Sequence, residues 1–431
     1  MSIAHSCSPQ LYTANGAPPS SENEAKESGY GFLRNHVYIP RGIPDSLPPS
    51  APAPNPDGTT PPLPVSLVPP PPLTITTLGE ATIPNIYEPA PYCDGITTLM
   101  STFFKDGKPL TDAEYAEVAG PRSKLFFDPT TITAGIVTCG GLCPGLNNVI
   151  RALVMEMKFT YKVPRILGFR YGYEGITGKY EPIVLTEQYV KDIHNRGGSI
   201  LGSSRGAQPA GLIVDNLVKY GVSILFTIGG DGTQNGAYEL TKEIERRGLK
   251  ISVIGIPKTI DNDICYVDNT FGFTTAVSRS MDAISSVHTE ASSAVGGVGI
   301  VKLMGRDAGF IALNSALSNG DVNVILIPEK HFDLNDLCAH VEWRIKARGH
   351  CVIVVAEGAG QDLMEGADEY DKSGNRLQKD IGKFLSVKID SYLKERNIEH
   401  TVKYVDPSYM IRASVANPSD AKRKIKINTS S

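Results

Sequence analysis

VSILFTIGGDGTQNGAYELTKEIERRG, residues 222–248, sets an apolar run against a glycine-rich break and follows it with a stretch of helical spacing. The run is short and apolar throughout, the pattern of a strand covered on both faces. The same strand, loop and helix occur earlier, where AGIVT (134–138) leads through CGGLCPGLNN (139–148) into LNNVIRALVMEM (146–157). Further apolar runs follow at ISVIGIP (251–257), VGIVKLMG (298–305), VNVILIP (322–328) and CVIVVAEG (351–358). Short apolar strands separated by helical stretches predict an α/β fold with mainly parallel, doubly wound sheets. Right-handed crossovers then bring the carboxyl ends of the strands, where glycines and acids cluster, to one edge of each sheet, and such folds take ligands at that edge.

The chain of 431 residues has room for two or three domains. Its formal net charge of −4 leaves no broad basic field, which argues against nucleic acid as a partner. No uninterrupted apolar run approaches the ~20 residues a membrane helix needs, and the opening MSIAHSCSPQ lacks a basic region leading into an apolar stretch. The expectation is a soluble, cytoplasmic protein with no membrane partner. Seven cysteines are scattered, and the closest pair, Cys139 and Cys143, has no second pair or histidines at zinc spacing, so they read as reduced thiols. Residues 1–73, dense in proline from Pro40 to Pro72, read as a disordered extension with PPPP (69–72) as a stiff spacer. Folded sequence begins near Thr74.

Three segments carry chemistry. The cluster 139–148 lies between a strand and a helix, so its amides suit an anion, and a tight structural turn explains it equally well. In IGGDGTQNG (228–236) an acid sits among glycines that let backbone approach a phosphate chain, and Asp231 is placed to hold Mg²⁺ directly or through water. GGDGT also occurs in kinases of NAD and of diacylglycerol, so it signals phosphoryl transfer more than any one substrate. In PKTIDND (257–263), read as extended, Asp261 and Asp263 point to the same side. Such a pair offers one carboxylate to take a proton from an attacking hydroxyl and one to position the metal or the base, with Lys258 and Thr259 beside them. KLMGRDAGF (302–310), AEGAGQD (356–362) and YVDPSYMIR (404–412) add Arg306, Glu357 and Arg412, which suit a phosphate or a sugar hydroxyl and are also compatible with ordinary salt bridges.

Taken in order, GGLCPGLN, HNRGGSILGSSRG (194–206), GGDGTQ, GIPKTIDND (255–263), VKLMGR (301–306), AEGAGQD and YVDPSYMIR resemble the long, plant- and protist-type phosphofructokinases, from about Thr74 to about Asp420. AGPRSKLFF (119–127) also resembles that subfamily. The resemblance implies two Rossmann-like lobes. One is an ATP-binding lobe over 131–272 with part of 412–420, the other a fructose 6-phosphate-binding lobe over 273–411; 74–130 would be a subfamily segment. It makes Asp261 the general base on the 1-hydroxyl of fructose 6-phosphate, with Thr259 and Asp263 beside it, and Asp231 the Mg²⁺ site. Gly141, Tyr173, Arg205, Gly230, Gly232 and Thr233 would contact ATP along with Asp231; Met304, Gly305, Arg306, Glu357, Tyr409 and Arg412 would hold the sugar phosphate. Arg306 would also offset charge on the transferring group, and Lys403 would act across an interface in a homo-oligomer, a tetramer.

Two positions bear on the donor. The pyrophosphate users of the family resemble one another in an acid where this chain has Gly232 and in a lysine like Lys258, so the signature here is mixed, and Gly232 favours ATP. The alternatives are a pyrophosphate-dependent enzyme and a non-catalytic subunit. The second is motivated by the ending: after SVANPSD (414–420) the residues 421–431 diverge, where the resemblance implies further helices and strands.

Overall fold

A computed structural model describes residues 78–86, 120–264, 269–366 and 377–421 with few gaps, some positions between them, and the backbone of short pieces within 31–39 and 97–117. The chain divides into a larger unit, Met1–Gly42 with Thr131–Ile425, and a smaller one, Ile43–Thr130 with Lys426–Ser431. The proline run 69–72 and the tail beyond residue 421 lie outside the described residues. Of the first 73 residues only Gly31–Leu33 and Val37–Ile39 are described, as an antiparallel pair of backbone segments. In the smaller unit Ile83–Pro84 pairs antiparallel with Lys124–Leu125, and Asn85 Nδ2 donates to the Arg122 carbonyl.

The larger unit contains two sheets. The first is built from β1 (Thr133–Thr138), β2 (Arg165–Phe169), β3 (Ile183–Val184), β4 (Val222–Gly229) and β5 (Ser252–Pro257), in the order β3-β2-β1-β4-β5. All neighbours are parallel except the edge strand β3. The second contains β6 (Gly297–Leu303), β7 (Val324–Leu326), β8 (His350–Ala356) and β9 (Thr401–Val405), ordered β7-β8-β6-β9 and parallel throughout, with residues 37–39 beside β7. The mainly parallel α/β arrangement is therefore the one the apolar runs predict. Three strands were not among those runs: RILGF follows Pro164 and opens on an exposed arginine, Ile183–Val184 is two residues long, and TVKYV is only half-buried.

Helices cover both faces, among them α1 (Leu146–Met155) and α5 (Phe310–Ser318). Along β6, Val298 and Ile300 face a core shared with α6 (Leu334–Arg348) and α7 (Ile381–Glu395), while Gly299 lies close against Val287 of α4 (Phe273–Ser292). Burying each large apolar side chain here contributes about 1.5–3 kcal/mol, which is why alternation disappears from the central strands. In the first sheet, β1 and β4 pack against α2 (Ala210–Lys219) and α3 (Asp231–Arg246) through Val137, Leu225, Val214 and Leu240. Local signals set the helix ends. Asp333 caps α6 by accepting from Asn335 N and Asp336 N, and Gly349, at φ 80, ends it in a conformation that costs glycine little.

The amino end of α4 is held from far along the chain. Asp420 Oδ2 accepts from Thr275 N at 2.7 Å and from Thr275 Oγ1, and Asn417 N donates to Thr275 Oγ1 at 2.9 Å. The segment after the second sheet thus returns to the helix that follows the first.

Candidate active site

The chain leaves β1 toward β2 on one side and β4 toward β5 on the other, so a crevice opens between the carboxyl ends of β1 and β4. Glycines line it because the loops approach closely. Gly140 has φ 80, its N–H donates to Ser204 O at 3.0 Å, and its carbonyl accepts from Ser203 Oγ at 2.5 Å. A Cβ on Gly229 would lie 2.1 Å from Thr233 Oγ1, so only glycine lets Thr233 fold back over the strand end. Gly230 O accepts from Thr233 N and Gln234 N and starts α3 at Asp231. The acid therefore lies in the first helical turn rather than in a separate turn, with Asp231 and Gly232 exposed to the crevice. Tyr173 is buried, its hydroxyl donating to Thr233 O at 2.7 Å and its ring seated against Gly236.

After β5 the chain runs beside this cradle, with Lys258 N donating to Gly229 O at 2.9 Å. Burial, reinforced by the guanidiniums of Arg412 and Arg205, pulls the Lys258 ammonium below the ordinary lysine pKa. The TIDND segment corrects one expectation, because it is not extended. Asn262 takes a left-handed conformation at φ 62, and its Oδ1 accepts from Thr270 N at 2.7 Å. Thr259 Oγ1 accepts from Asp261 N at 3.1 Å and donates to Asp263 Oδ1 at 2.6 Å. A side-chain-stapled turn, and not strand alternation, therefore brings Asp261 and Asp263 to the same place.

Asp261 Oδ1 is enclosed and has no hydrogen-bond partner. Burial first, then the neighbouring carboxylates of Glu357 and Asp263, push its pKa up to about 7, against the backbone N–H of Arg306 and the charge of Arg412. A carboxyl group with that value and an open oxygen is suited to accept a proton near neutrality. Burial also pushes the Cys139 and Cys143 thiols up to about 12, so both are inert neighbours of the crevice.

The second sheet contributes from the opposite side. Gly305, at φ 130, has no room for a Cβ against Ala308 O, and Glu357 N donates to Leu303 O at 2.8 Å. These contacts fix the loops that present Arg306 and Glu357, and α8 (Ser408–Arg412) presents Arg412. All the residues singled out from sequence line this one cleft of about 880 Å³, except Met304, Gly305, Lys403 and Tyr409. Met304 is fully buried, Lys403 is exposed on β9, and Tyr409 is 82% exposed on α8. Ser204, Gln208 and Asp307 also line the cleft. Their sequence signal was adjacency: two follow or belong to GGSILGSSRG, and Asp307 follows Arg306.

Among the described residues no group of three or more His, Cys, Asp or Glu side chains is placed to hold a metal alone. Asp231, exposed at the glycine cradle, instead fits Mg²⁺, which keeps several waters and takes one or two carboxylates with substrate oxygens.

These features define a class of α/β protein: parallel sheets meeting over one cleft, a glycine cradle on one side, and a near-neutral carboxyl group with arginines on the other. A family model described as Phosphofructokinase matches residues 133–430. The chain is 49% identical over 396 residues to an ATP-dependent 6-phosphofructokinase of Entamoeba histolytica, covering 90% of this chain and 85% of that protein. It is 50% identical to ATP-dependent 6-phosphofructokinase 7 of Arabidopsis thaliana, over 70% of this chain and 63% of the plant protein. A pyrophosphate-dependent phosphofructokinase structure from Marinobacter aquaeolei shares the fold, with a TM-score of 0.56 and 21% identity over 68% of this chain and 73% of that one. The chain belongs to the phosphofructokinase family.

Proposed function

We propose that the chain transfers the γ-phosphoryl group of Mg·ATP to the 1-hydroxyl of fructose 6-phosphate, giving fructose 1,6-bisphosphate and ADP. The observation that carries this reading is Asp261, a carboxyl group with a pKa of about 7 and an unpartnered oxygen, in the same cleft as the glycine cradle. As the 1-oxygen bonds to the γ-phosphorus and the bond to ADP breaks, Asp261 takes the hydroxyl proton. Thr259 and Asp263 hold its turn. Gly141, Arg205 and the loop Gly230–Thr233 bind the nucleotide phosphates, with Tyr173 supporting Thr233 from below. Asp231 would hold Mg²⁺, which would supply charge neutralisation to the bound phosphates. Lys258 and Arg306 lie where phosphoryl charge spreads, and Glu357 and Arg412 hold the sugar phosphate, its phosphate suited to the planar Arg412 fork.

On this reading 131–272 with part of 412–420 is the ATP-binding lobe and 273–411 the acceptor lobe. Met304 and Gly305 act through their backbone, because the Met304 side chain is buried. The exposure of Lys403 and Tyr409 fits residues that serve a neighbouring subunit in a cytoplasmic homo-oligomer, a tetramer. Lys258 favours pyrophosphate as donor, and Gly232 outweighs it because an exposed glycine leaves no carboxylate to repel a nucleotide's α-phosphate. Steady-state assay of the purified chain with each donor tests the reading. Fructose 1,6-bisphosphate should form faster with ATP than with pyrophosphate; the reverse order, or no product with either, overturns it.

A further inference from the structure

The carboxyl edge of the second sheet holds an ion network that plays no direct part in the proposed reaction, centred on Lys302. Every residue of β6 is buried except Lys302, and its side chain is still only 14% exposed. Its Nζ lies 2.9 Å from Asp406 Oδ2 and 3.4 Å from Asp380 Oδ1. Asp406 turns its other oxygen, Oδ1, to Ser408, accepting from the backbone N at 3.0 Å and from Oγ at 2.5 Å. Asp380 Oδ1 also accepts from Tyr404 Oη at 2.7 Å and from Lys383 N at 3.2 Å, in the first turn of α7. One ammonium is thus shared by the acids that begin two helices.

The second of those helices, α8, runs only from Ser408 to Arg412. A helix so short has no stability of its own, so tertiary contacts set its position: the turn at its start and the buried Ile411, on an element that packs against α4. Its last residue is Arg412, which reaches the cleft, whereas Lys302 does not line it.

We propose that Lys302 is a positioning residue for Arg412, acting through Asp406 and the Ser408 turn to set affinity for the acceptor's phosphate. The proposal rests on the reading of Arg412 as a ligand of that phosphate. The Lys302 side chain is enclosed although those of Asp406 and Asp380 remain 31% and 43% exposed, and one cation serves two carboxylates rather than one. The Lys302 ammonium is held above its ordinary pKa, and those of Asp380 and Asp406 lie below theirs, so all three groups are charged at neutrality. Removing the cation leaves two carboxylates facing the same space and loosens the start of α8. A shift of about 1 Å in a guanidinium that must meet a phosphate in two parallel hydrogen bonds is enough to cost up to ~10²-fold.

The test is calorimetric titration of fructose 6-phosphate, without nucleotide, into the full chain and its variants, together with steady-state kinetics. Lys302→Met should weaken binding at least ~10-fold while the KM for ATP stays within about 2-fold, and Lys302→Arg should recover most of the affinity. Asp406→Asn keeps an acceptor for Ser408 and loses only the charge, so it should reproduce the weakening even if Lys302→Met fails to fold. In an Arg412→Ala background, Lys302→Met should have no further effect. Unchanged affinity in folded Lys302→Met, or an equal loss with and without Arg412, overturns the proposal. If the unsubstituted chain itself does not bind fructose 6-phosphate, the reading of the site falls, and the proposal with it.

Discussion

The two sheet edges that face the cleft are built in different ways. At the first edge the cradle is backbone: Gly140 and Gly141 after β1, and Gly229 to Gly232 after β4, with side chains such as Tyr173 and Thr233 behind them as supports. At the second edge the cleft is met by side chains from separated elements, Arg306 after β6, Glu357 after β8 and Arg412 from α8, held by contacts among residues up to 104 positions apart, as between Lys302 and Asp406. A backbone cradle is sensitive to atoms added; a side-chain grip is sensitive to atoms removed or displaced. The turn 259–263 lies between the two and belongs to neither, since its chemistry depends on the state of one proton.

The largest expected effect therefore comes from Asp261. Asp261→Asn should lower kcat by at least ~10²-fold while fructose 6-phosphate still binds, since a lost general base costs about 10²–10⁴. In the unsubstituted chain kcat/KM should fall about tenfold per pH unit below the Asp261 value of about 7, where the carboxyl group is protonated and no longer accepts. Stability runs the other way. The folded chain holds this proton to higher pH than the unfolded chain does, so its stabilising contribution is full below the ordinary aspartate value and is lost as pH rises through about 7. Asp261→Asn should consequently be more stable than the parent at pH 8, by about 1–2 kcal/mol, and the gap should close toward pH 4. A variant that loses activity and also melts lower at pH 8 would mean that Asp261 is structural.

Next in size is an added atom at the first edge. Gly232 is the second residue of α3, where a carboxylate suits the helix terminus, so Gly232→Asp should fold normally. Repulsion of the nucleotide phosphates should nevertheless reduce turnover with ATP by about 10²-fold. A thermal melt near that of the parent combined with parental ATP kinetics would remove Gly232 from donor selection. At the second edge the matching change is a removal. Arg412→Ala should raise the KM for fructose 6-phosphate by about 10–10²-fold and leave that for ATP within a few-fold, the loss typical of a charge-assisted fork. If both KM values rise together, the two edges are not independent.

The same contrast explains what could be read from the residues alone. The central strands announced themselves as continuous apolar runs because burial on both faces removes alternation, and IGGDG declared one arm of the cradle because its glycines are contiguous. RILGF and TVKYV did not stand out, one short and one half-exposed. The TIDND acids were correctly placed together for the wrong geometric reason, since a left-handed Asn262 cannot be inferred from spacing. Lys302 was invisible as anything beyond a lysine after an apolar run, for its meaning lies in Asp380 and Asp406, 78 and 104 positions away. Proximity across such distances is decided by strand order, which one sequence does not display.

The smallest expected effect is a removal at the first edge, where the comparison says removals matter least. The Tyr173 hydroxyl donates to the Thr233 carbonyl at 2.7 Å, and its ring fills the space left by Gly236, where a Cβ would come within 2.6 Å of the ring. Tyr173→Phe keeps the ring and deletes only the donor. The Thr233 carbonyl keeps its place in the hydrogen-bond ladder of α3, so the cost should be about 0.5–1.5 kcal/mol of stability, the net value of one hydrogen bond. Because the cradle's shape comes from glycine conformations and strand ends, and not from this bond, the KM for ATP should rise no more than about 3-fold, with kcat and fructose 6-phosphate binding unchanged. Denaturant unfolding and ATP kinetics on the same preparation separate the two quantities. A rise in the ATP KM of tenfold or more, at that small loss of stability, would show that the tyrosine hydroxyl shapes the phosphate site directly and that the first edge depends on side chains as the second does.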